Sequence, residues 1–571
     1  MSKRRIGVYV CHCGGNISDY VDVDQVVDAV KGDDDVIVVK DTMFTCSDAT
    51  QQVIEHDIRS ENLDGLVVAS CSPKLHTETF REVARRAGLN PYEYTQVNIR
   101  EQCSWTHTDD REGATQKAIN LVRGGIARTR LTEPLEATTV ETTSHALVIG
   151  GGVAGMRAAI GLADVGLGVT LVERASELGG HTATLSALYP NERSGRVLVS
   201  RLKREIQERN EIIVFTNAEV TAKAGTFGNY RVVIRVSDQD ESVHVKVGQI
   251  IVATGFDNYE PQAGEYGYGM SGVVTLPEFR KMLDESGPEL VYDGKPVKTI
   301  AYIYCVGSRC EAQPYCSRYC CTAAVHTSLL ADRATPGLRQ YHLYRDMRTY
   351  GKNELMLSES RKHGSVYMKF ADDDPPEVAQ VNGHLAVTLR DLLSDSQELV
   401  VPADLVVLVT GMMPRENEKL IKTLKMPVGR DGFFNEIHPK LRPVETVVDG
   451  VLIAGACQSP KTVSESVTSG LAAVAQTAAV LKRGVAELDP QVARVDAIAC
   501  TGCEACVESC QFAAISMTTV DDRAVAVIDA AGCKGCGACA PSCPEDAIDL
   551  LGYTDAEMRA IIDGLLVGVA S

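Results

Sequence analysis

Residues 146–182 read ALVIGGGVAGMRAAIGLADVGLGVTLVERASELGGHT, and the rest of the chain is organised around them. Ala146–Ile149 is a short apolar strand. Gly150-x-Gly152-x-x-Gly155 opens a helix that runs to about Val165, and the strand Gly168–Val172 delivers Glu173. The glycines permit a tight turn, close approach of the backbone to a pyrophosphate, and close helix–sheet packing. The helix N-terminus offers free N–H groups and the positive end of a dipole to phosphates. Glu173, about twenty residues on, is placed for ribose hydroxyls. A glycine triplet alone also occurs for packing, but strand, triplet, helix, strand and acid in this order specify a dinucleotide site. Val153, Ala154 and Arg174 join its candidate contacts.

The choice of dinucleotide lies just downstream. Gly179, Gly180, His181 and Thr182 form an LGG-type loop of the kind that passes under the FAD pyrophosphate in flavoproteins. The apolar strand Ile250–Ala253 ends in Ala253-Thr254-Gly255, and Val451–Ala454 ends in Gly455-Ala456. The latter leads through Gln458 into an alanine-rich helix near Ser464–Leu481, whose N-terminus favours negative charge on a reduced flavin. Val220 is added as a further candidate contact. Together these pieces resemble the FAD domain of the thioredoxin-reductase-like flavoproteins, and FAD is the expected cofactor.

At 571 residues the chain should hold about three or four domains. A net charge of −19 argues against nucleic acid and against anionic membranes, since both need basic surface. No run approaches the roughly 18 apolar residues of a membrane span. The opening MSKRRIGVYVCHCGG reads as a first strand and not as a signal peptide, so a cytoplasmic protein is expected. Nineteen cysteines, at spacings typical of metal ligands in a chain too large to need disulfide staples, point to thiolate clusters holding iron and sulfide.

Residues 1–135 form an α/β unit in which cysteines follow the strands: Cys11 and Cys13 after Arg5–Val10, Cys46 after Val36–Lys40, Cys71 after Leu66–Ser70, and Cys103 after Tyr92–Ile99. In open α/β sheets, ligand sites gather at the carboxyl ends of strands, so these thiols can converge on one cluster. Buried cysteine is also a common small hydrophobe, and spacing alone leaves both readings open. Leu131–Ser144 has neither periodicity and reads as a linker.

The flavoprotein body spans 145–490, and a second nucleotide-binding unit is expected within it at about 290–400. The strand Lys298–Tyr304 is there, but Cys305 and Cys310, then Cys316, Cys320 and Cys321, stand where a glycine triplet for NAD(P)H should be. Nicotinamide binding is expected to be lost and replaced by an iron–sulfur site, with Cys305, Cys316, Cys320 and Cys321 as ligands and Cys310 as the spare. Zinc would also suit these thiols. Tyr344–Tyr350 (YRDMRTY) reads as a cofactor edge, an intersubunit contact or, more commonly for such runs, a solvated loop.

Residues 491–571 carry Cys500-x-x-Cys503-x-x-Cys506-x-x-x-Cys510 and Cys533-x-x-Cys536-x-x-Cys539-x-x-x-Cys543-Pro544. This is the bacterial two-cluster pattern, in which the fourth cysteine of each run ligates the other cluster. Cys500, Cys503, Cys506 and Cys543 should hold one [4Fe–4S] cubane; Cys533, Cys536, Cys539 and Cys510 should hold the other. Gln511 departs from the usual proline without removing a ligand. Thr554–Leu566 reads as an amphipathic packing helix with Met558, Ile561, Ile562 and Leu565 on its apolar side.

GVYVCHCGGN, FTCSD, ASCSPKLH and REQCSW around the first thiols, CVGSR…YCSRYCC, RDMRTYG, GACQSPK and the terminal ferredoxin together resemble the A-type (HdrA) polypeptides of heterodisulfide reductase over nearly the whole chain. The resemblance implies an α/β fold: a thioredoxin-reductase-like two-unit FAD flavoprotein with an N-terminal α/β domain and a C-terminal α+β two-cluster ferredoxin domain. It raises both uncertain thiol sets to [4Fe–4S] sites, four in all. Some members carry another ferredoxin inserted in the FAD domain; none is visible between Gly180 and Gly248. The implied activity is flavin-based electron bifurcation to a high-potential acceptor and a low-potential ferredoxin. The implied partners are B and C subunits, a small adaptor, hydrogenase or formate dehydrogenase as donor, and a second copy of this chain in a homodimer. Lys461 and Arg345 are candidates for steering protons at the flavin. A one-way electron relay is the main rival. A self-contained NAD(P)H oxidoreductase is opposed by the absent second triplet, and a redox sensor by the absence of a basic patch.

Overall fold

The computed structural model describes residues 3–237, 241–287 and 289–566, and the chain divides into two compact units. One is built from the first 140 residues together with those from Glu487 on; the other is Glu141–Ala486.

In the first unit, the strands Ile6–Cys11, Val36–Thr42, Gly65–Ser70 and Tyr94–Asn98 form a parallel sheet with Ile6–Cys11 between Val36–Thr42 and Gly65–Ser70. Ile6–Cys11 and Gly65–Ser70 are buried along their whole length, as central parallel strands covered by helices must be. Helix starts are set locally: Asp22, Ser47 and Ser72 cap Val23–Val30, Asp48–Ser60 and Pro73–Ala87 through their side chains.

The ferredoxin segment of this unit has two antiparallel pairs, Ala493–Val495 with Ile548–Leu550 and Ile515–Val520 with Arg523–Ile528. The final helix, Asp555–Leu566, packs on Arg111–Thr129 at a glycine crossing. A Cβ added to Gly564 would lie 2.7 Å from Gly124 Cα and 2.9 Å from Arg123 O. Half of the expected apolar face lies at this crossing: Ile561 and Leu565 pack against Gly124 and are half-buried. Glu557 and Gly564 are buried, whereas Met558 and Ile562 are exposed, because the close backbone approach selects glycine and not bulk. The expected linker also contains a short strand, Thr138–Glu141, where three β-branched residues in a row favour extended backbone.

The second unit repeats one plan twice. Its first half is a five-stranded parallel sheet in the spatial order Val451–Ile453, Gln249–Val252, His145–Ile149, Gly168–Val172, Ile212–Phe215, with an antiparallel three-stranded layer from Ala218–Thr226, Asn229–Val236 and Glu241–Val247. The second half has the parallel order Val273–Thr275, Leu405–Thr410, Thr299–Val306, Arg339–Tyr344, Val366–Lys369, and its own antiparallel trio, Glu377–Val381, His384–Asp391 and Gln397–Ala403. Each half has its own apolar core. Among the described residues no helix is long and apolar enough to cross a membrane.

Candidate functional site: a dinucleotide cradle and three thiol sets

The cradle is formed where His145–Ile149 turns into the helix Val153–Asp164. Gly150 takes φ +111°, and a Cβ there would meet Ala253 O at 2.3 Å; at Gly155 it would meet Gly150 O at 1.9 Å. A Cβ at Gly152 would meet nothing within 4 Å, so this backbone faces open space. Gly152 caps the helix without a side chain, which leaves the N–H groups of the first turn, at Val153 and Ala154, for a ligand. Thr254 Oγ1, at the end of Gln249–Val252, is buried without a hydrogen-bond partner among the described residues. An open glycine edge, an uncapped helix start and an orphaned hydroxyl are what a pyrophosphate-bearing cofactor would occupy and satisfy, so the residues fit FAD.

Glu173 supports the loop directly. Oε2 accepts from Gly151 N at 2.6 Å and Oε1 from Ala175 N at 2.8 Å. Gly179 lies beside the triplet, its N–H donating to Gly151 O at 2.8 Å. Gly180 follows with φ +52°, Thr182 is buried, and Arg174 is exposed. His181 stacks on Phe256 at 4.4 Å between centroids and bonds the Phe256 carbonyl at 2.9 Å; burial pushes its pKa down. Val220 is buried in the core beneath the sheet. Gly255 and Gly455 both have positive φ, and Ala253 and Ala456 are buried beside them.

The helix Val463–Leu481 crosses Val153–Asp164 closely, because a Cβ at Gly470 would sit 2.8 Å from Ala154 O. Gly470 carries a packing role that sequence reading missed, although a glycine in an alanine-rich helix was its signal. Just before this helix, Gln458 Nε2 donates to Glu436 and to Pro443 O, each at 2.8 Å, and Lys461 Nζ donates to Gln458 Oε1 at 2.9 Å. Burial lowers the Lys461 pKa, against the nearby Cys457, Glu436 and Glu465.

In the second half, Cys305 lies near the end of Thr299–Val306 with φ +64°, a strained value for a residue with a side chain. Cys320 and Cys321 start the helix Cys320–Ala334. Cys305, Cys316, Cys320 and Cys321 are near enough to act on one another's charge, whereas Cys310 is exposed and bonds Gln313 Oε1 at 3.3 Å. Cys320 donates to Cys321, which holds Cys321 as the more acidic of the adjacent pair. The Tyr344–Tyr350 run is not a solvated loop. Arg345 donates to the carbonyls of Arg309 at 2.9 Å and Ser308 at 2.7 Å, so it clamps the cysteine loop. Asp346 pairs with Arg309 at 2.9 Å. Tyr319, next to Cys320, has its ring 6.4 Å from that of Phe256, so aromatic rings join the His181 loop to this thiol set.

In the first unit, Cys13 leaves its strand at φ +54° with Gly14 and Gly15 also left-handed. Thr45 N donates to Cys11 Sγ at 3.5 Å and Arg100 Nη1 to Cys13 Sγ at 3.3 Å. Burial raises Cys46, and the Cys11 and Cys13 thiols add to the shift. Burial pushes Cys71 to about 11, with Arg100 opposing and Cys13, Glu101 and Cys11 reinforcing. Cys11, Cys13, Cys46 and Cys71 thus share one electrostatic neighbourhood around Arg100. Cys103 is fully buried among apolar side chains, its thiol raised to about 11 by burial, with Lys117 opposing.

The ferredoxin segment contains two small cavities. Cys500, Cys503, Cys506 and Cys543 line one, and Cys533, Cys536, Cys539 and Cys510 line the other. The two fourth cysteines are held alike: Ala514 N donates to Cys510 Sγ, and Ala547 N to Cys543 Sγ, both at 3.3 Å. Among the described residues no group of three or more His, Cys, Asp or Glu could hold a single metal ion. A cubane differs in spreading its four thiolates over its corners.

Residues 144–295 match the pyridine nucleotide-disulphide oxidoreductase family and residues 499–547 the 4Fe-4S dicluster domain. The chain is 37% identical to the second A-type iron-sulfur polypeptide of the CoB–CoM heterodisulfide reductase of Methanopyrus kandleri, over 91% of this chain and 92% of that one. It is 36% identical to the A-type polypeptide of the H(2):CoB-CoM heterodisulfide,ferredoxin reductase of Methanothermobacter thermautotrophicus, over 90% and 91%. The thioredoxin reductase of T. acidophilum superposes on 59% of this chain and 99% of its own, with a TM-score of 0.42 and 16% identity. The first alignment runs over 609 positions but takes in only about 520 residues of this chain, so the relative carries residues that this chain lacks.

Proposed function

This chain belongs to the HdrA family, the A-type polypeptides of heterodisulfide reductase, and from that membership we propose that it splits electron pairs between a high-potential acceptor and a low-potential ferredoxin. It is an oxidoreductase that combines an FAD-type flavoprotein domain with a two-cluster ferredoxin domain. The observation that carries the proposal is the second nucleotide-binding half. Cys305 lies near the end of its central parallel strand, Thr299–Val306, and the helix that would receive a nicotinamide phosphate begins with Cys320 and Cys321. A module that would take hydride is thereby set up for one-electron traffic beside a two-electron site.

Bound FAD supplies the exchange between paired and single electrons. Gly150, Gly152, Gly155, Glu173, Gly179, Gly180, Thr254 and Gly455 would hold it. Lys461, before the N-terminus of Val463–Leu481, places positive charge where added negative charge needs compensation. We assign four [4Fe–4S] clusters: two to the ferredoxin cavities, one to Cys305, Cys316, Cys320 and Cys321, and one to Cys11, Cys13, Cys46 and Cys71. The relatives' names speak of heterodisulfide, ferredoxin and H(2). By extension this chain works in the cytoplasm with B- and C-type subunits, ferredoxin, an adaptor, hydrogenase or formate dehydrogenase as donor, and a second copy of itself. A one-way relay is the second reading, favoured by the residues this chain lacks relative to the Methanopyrus kandleri protein.

The test is an anaerobic potentiometric titration of the holoprotein with iron and flavin counted. About sixteen irons, one FAD, and flavin reduction in a single two-electron wave are expected. Two resolved one-electron flavin waves would establish the relay. About eight irons would restrict clusters to the ferredoxin cavities.

A further inference from the structure

Arg100 joins two loops of the N-terminal thiol set. Its Nη1 donates to Cys13 Sγ at 3.3 Å, and its Nη2 donates to Glu101 Oε1 at 2.8 Å. The other oxygen of Glu101 accepts from Ser72 N at 2.9 Å, the amide that follows Cys71. The guanidinium lies over the Trp105 ring, 4.5 Å from its centroid, and the Arg100 side chain is only 15% exposed.

Local backbone explains the arrangement. Arg100–Ser104 is a π-helical turn, with Trp105 N donating to Arg100 O at 2.9 Å and Ser104 N to Ile99 O at 3.2 Å. The wider turn brings Trp105 back over Arg100, and such turns are frequent at functional sites. A cation is thus fixed among thiols by three different contacts: a sulfur, a carboxylate and an aromatic face.

We propose that Arg100 sets the reduction potential of the N-terminal cluster, raising it through the N–H···S bond to Cys13, and that Glu101 limits the increase. The inference rests on Cys11, Cys13, Cys46 and Cys71 being the ligands of that cluster. Reduction adds one electron, supplied in the test by a mediator dye, to the cluster and its thiolates; no bond breaks and no proton moves. The added negative charge is stabilised by a donor on sulfur and a nearby cation, and both effects are stronger where water is excluded. The pair also holds the Cys13 and Cys71 loops at a fixed separation, as outer partners of metal ligands do.

The experiment compares the anaerobic holoprotein with Arg100→Leu and Glu101→Gln by EPR-monitored redox titration, with iron counts. Trp105 is the only tryptophan of the chain, so its fluorescence reports this site alone. In the wild type, reconstitution with iron and sulfide should quench it. Arg100→Leu should make reduction of one cluster about tenfold less favourable, which is about 59 mV for one electron. Glu101→Gln should move the same cluster the opposite way, and the others should stay in place. A residue that merely supports the fold would not give opposite signs. If Arg100→Leu loses iron, Arg100→Lys, which keeps the charge but not the planar fork, carries the comparison, with a smaller shift in the same direction. Unchanged potentials in the arginine variant and in Glu101→Gln, with full iron and a quenched Trp105, overturn the inference. Full iron in Cys46→Ser and Cys71→Ser, with Trp105 bright on reconstitution, would instead remove the ligand reading beneath it.

Discussion

Replacing Glu173 tests the cradle most directly. Its carboxylate accepts two backbone N–H groups, from Gly151 at 2.6 Å and Ala175 at 2.8 Å, and the residue is 9% exposed. A hydrogen bond to a charged group is worth about 1.5–3 kcal/mol, and a buried donor left without a partner costs about 1–3 kcal/mol. Glu173→Ala strips both bonds, a loss of about 3 kcal/mol at the low end of that range. Glu173→Gln keeps one accepting oxygen and turns an amide donor towards the other N–H, for about half that loss. Gly151 lies inside the glycine turn, so a loosened turn has to be reordered whenever FAD binds. At about 1.4 kcal/mol per factor of ten, FAD affinity should fall about tenfold for Glu173→Gln and about a hundredfold for Glu173→Ala. The assay is anaerobic titration of deflavinated protein with FAD, read by flavin fluorescence, with iron content as the control for an intact remainder. If both variants bind FAD within about threefold of wild type, the carboxylate does not organise the cradle and the reasoning fails.

Three further outcomes are expected. Cys543→Ser should abolish the cluster of the cavity lined by Cys500, Cys503 and Cys506 and leave that of Cys533, Cys536 and Cys539. Loss of about four irons with one of two ferredoxin EPR signals checks it, and loss of the signal assigned to the Cys533 cavity contradicts it. Gly564→Leu should cost about 1–3 kcal/mol by overpacking the glycine crossing, seen as faster amide exchange across 555–566, whereas Met558→Ala on the exposed side should exchange as wild type. Burial holds His342 down to about 3 and His326 down to about 4, so both are neutral when folded and protonate near pH 6.5 when unfolded. The unfolded chain therefore binds more protons below pH 6.5. The second unit should lose stability as pH falls from there towards 3–4, measured as a falling temperature of flavin release. His342→Phe, which keeps an aromatic ring between Tyr302 and Tyr367, should flatten that fall; a curve parallel to wild type would exclude the contribution.

Much of the cradle was legible because its signals are local. Gly150, Gly152, Gly155 and Glu173 lie on one strand–turn–helix–strand path, where backbone sterics and a dipole dictate residue type over about two dozen positions. The ferredoxin cysteines were legible for a similar reason, since ligand spacing on a short loop is nearly a coordinate. Their exchange between cavities follows from that spacing, and the two cavities are lined accordingly. The run from Tyr344 to Tyr350 was misread because its charges looked solvated, yet Arg345 and Asp346 direct them at the loop after Cys305.

What the sequence determined by itself was which backbone segments carry a nucleotide and which loops carry thiols, because both depend on neighbours within a few residues. What only the tertiary structure decided was which distant groups meet. It gathered Cys11, Cys13, Cys46 and Cys71 into one charge-coupled neighbourhood around Arg100, with Cys11 and Cys103 in the same apolar cluster. It folded the C-terminal ferredoxin into the unit of the first 140 residues, and it turned Gly564, not Met558 and Ile562, inward. Those outcomes depend on sheet order and helix crossing distance, which are set by long-range packing and leave no periodic mark along the chain.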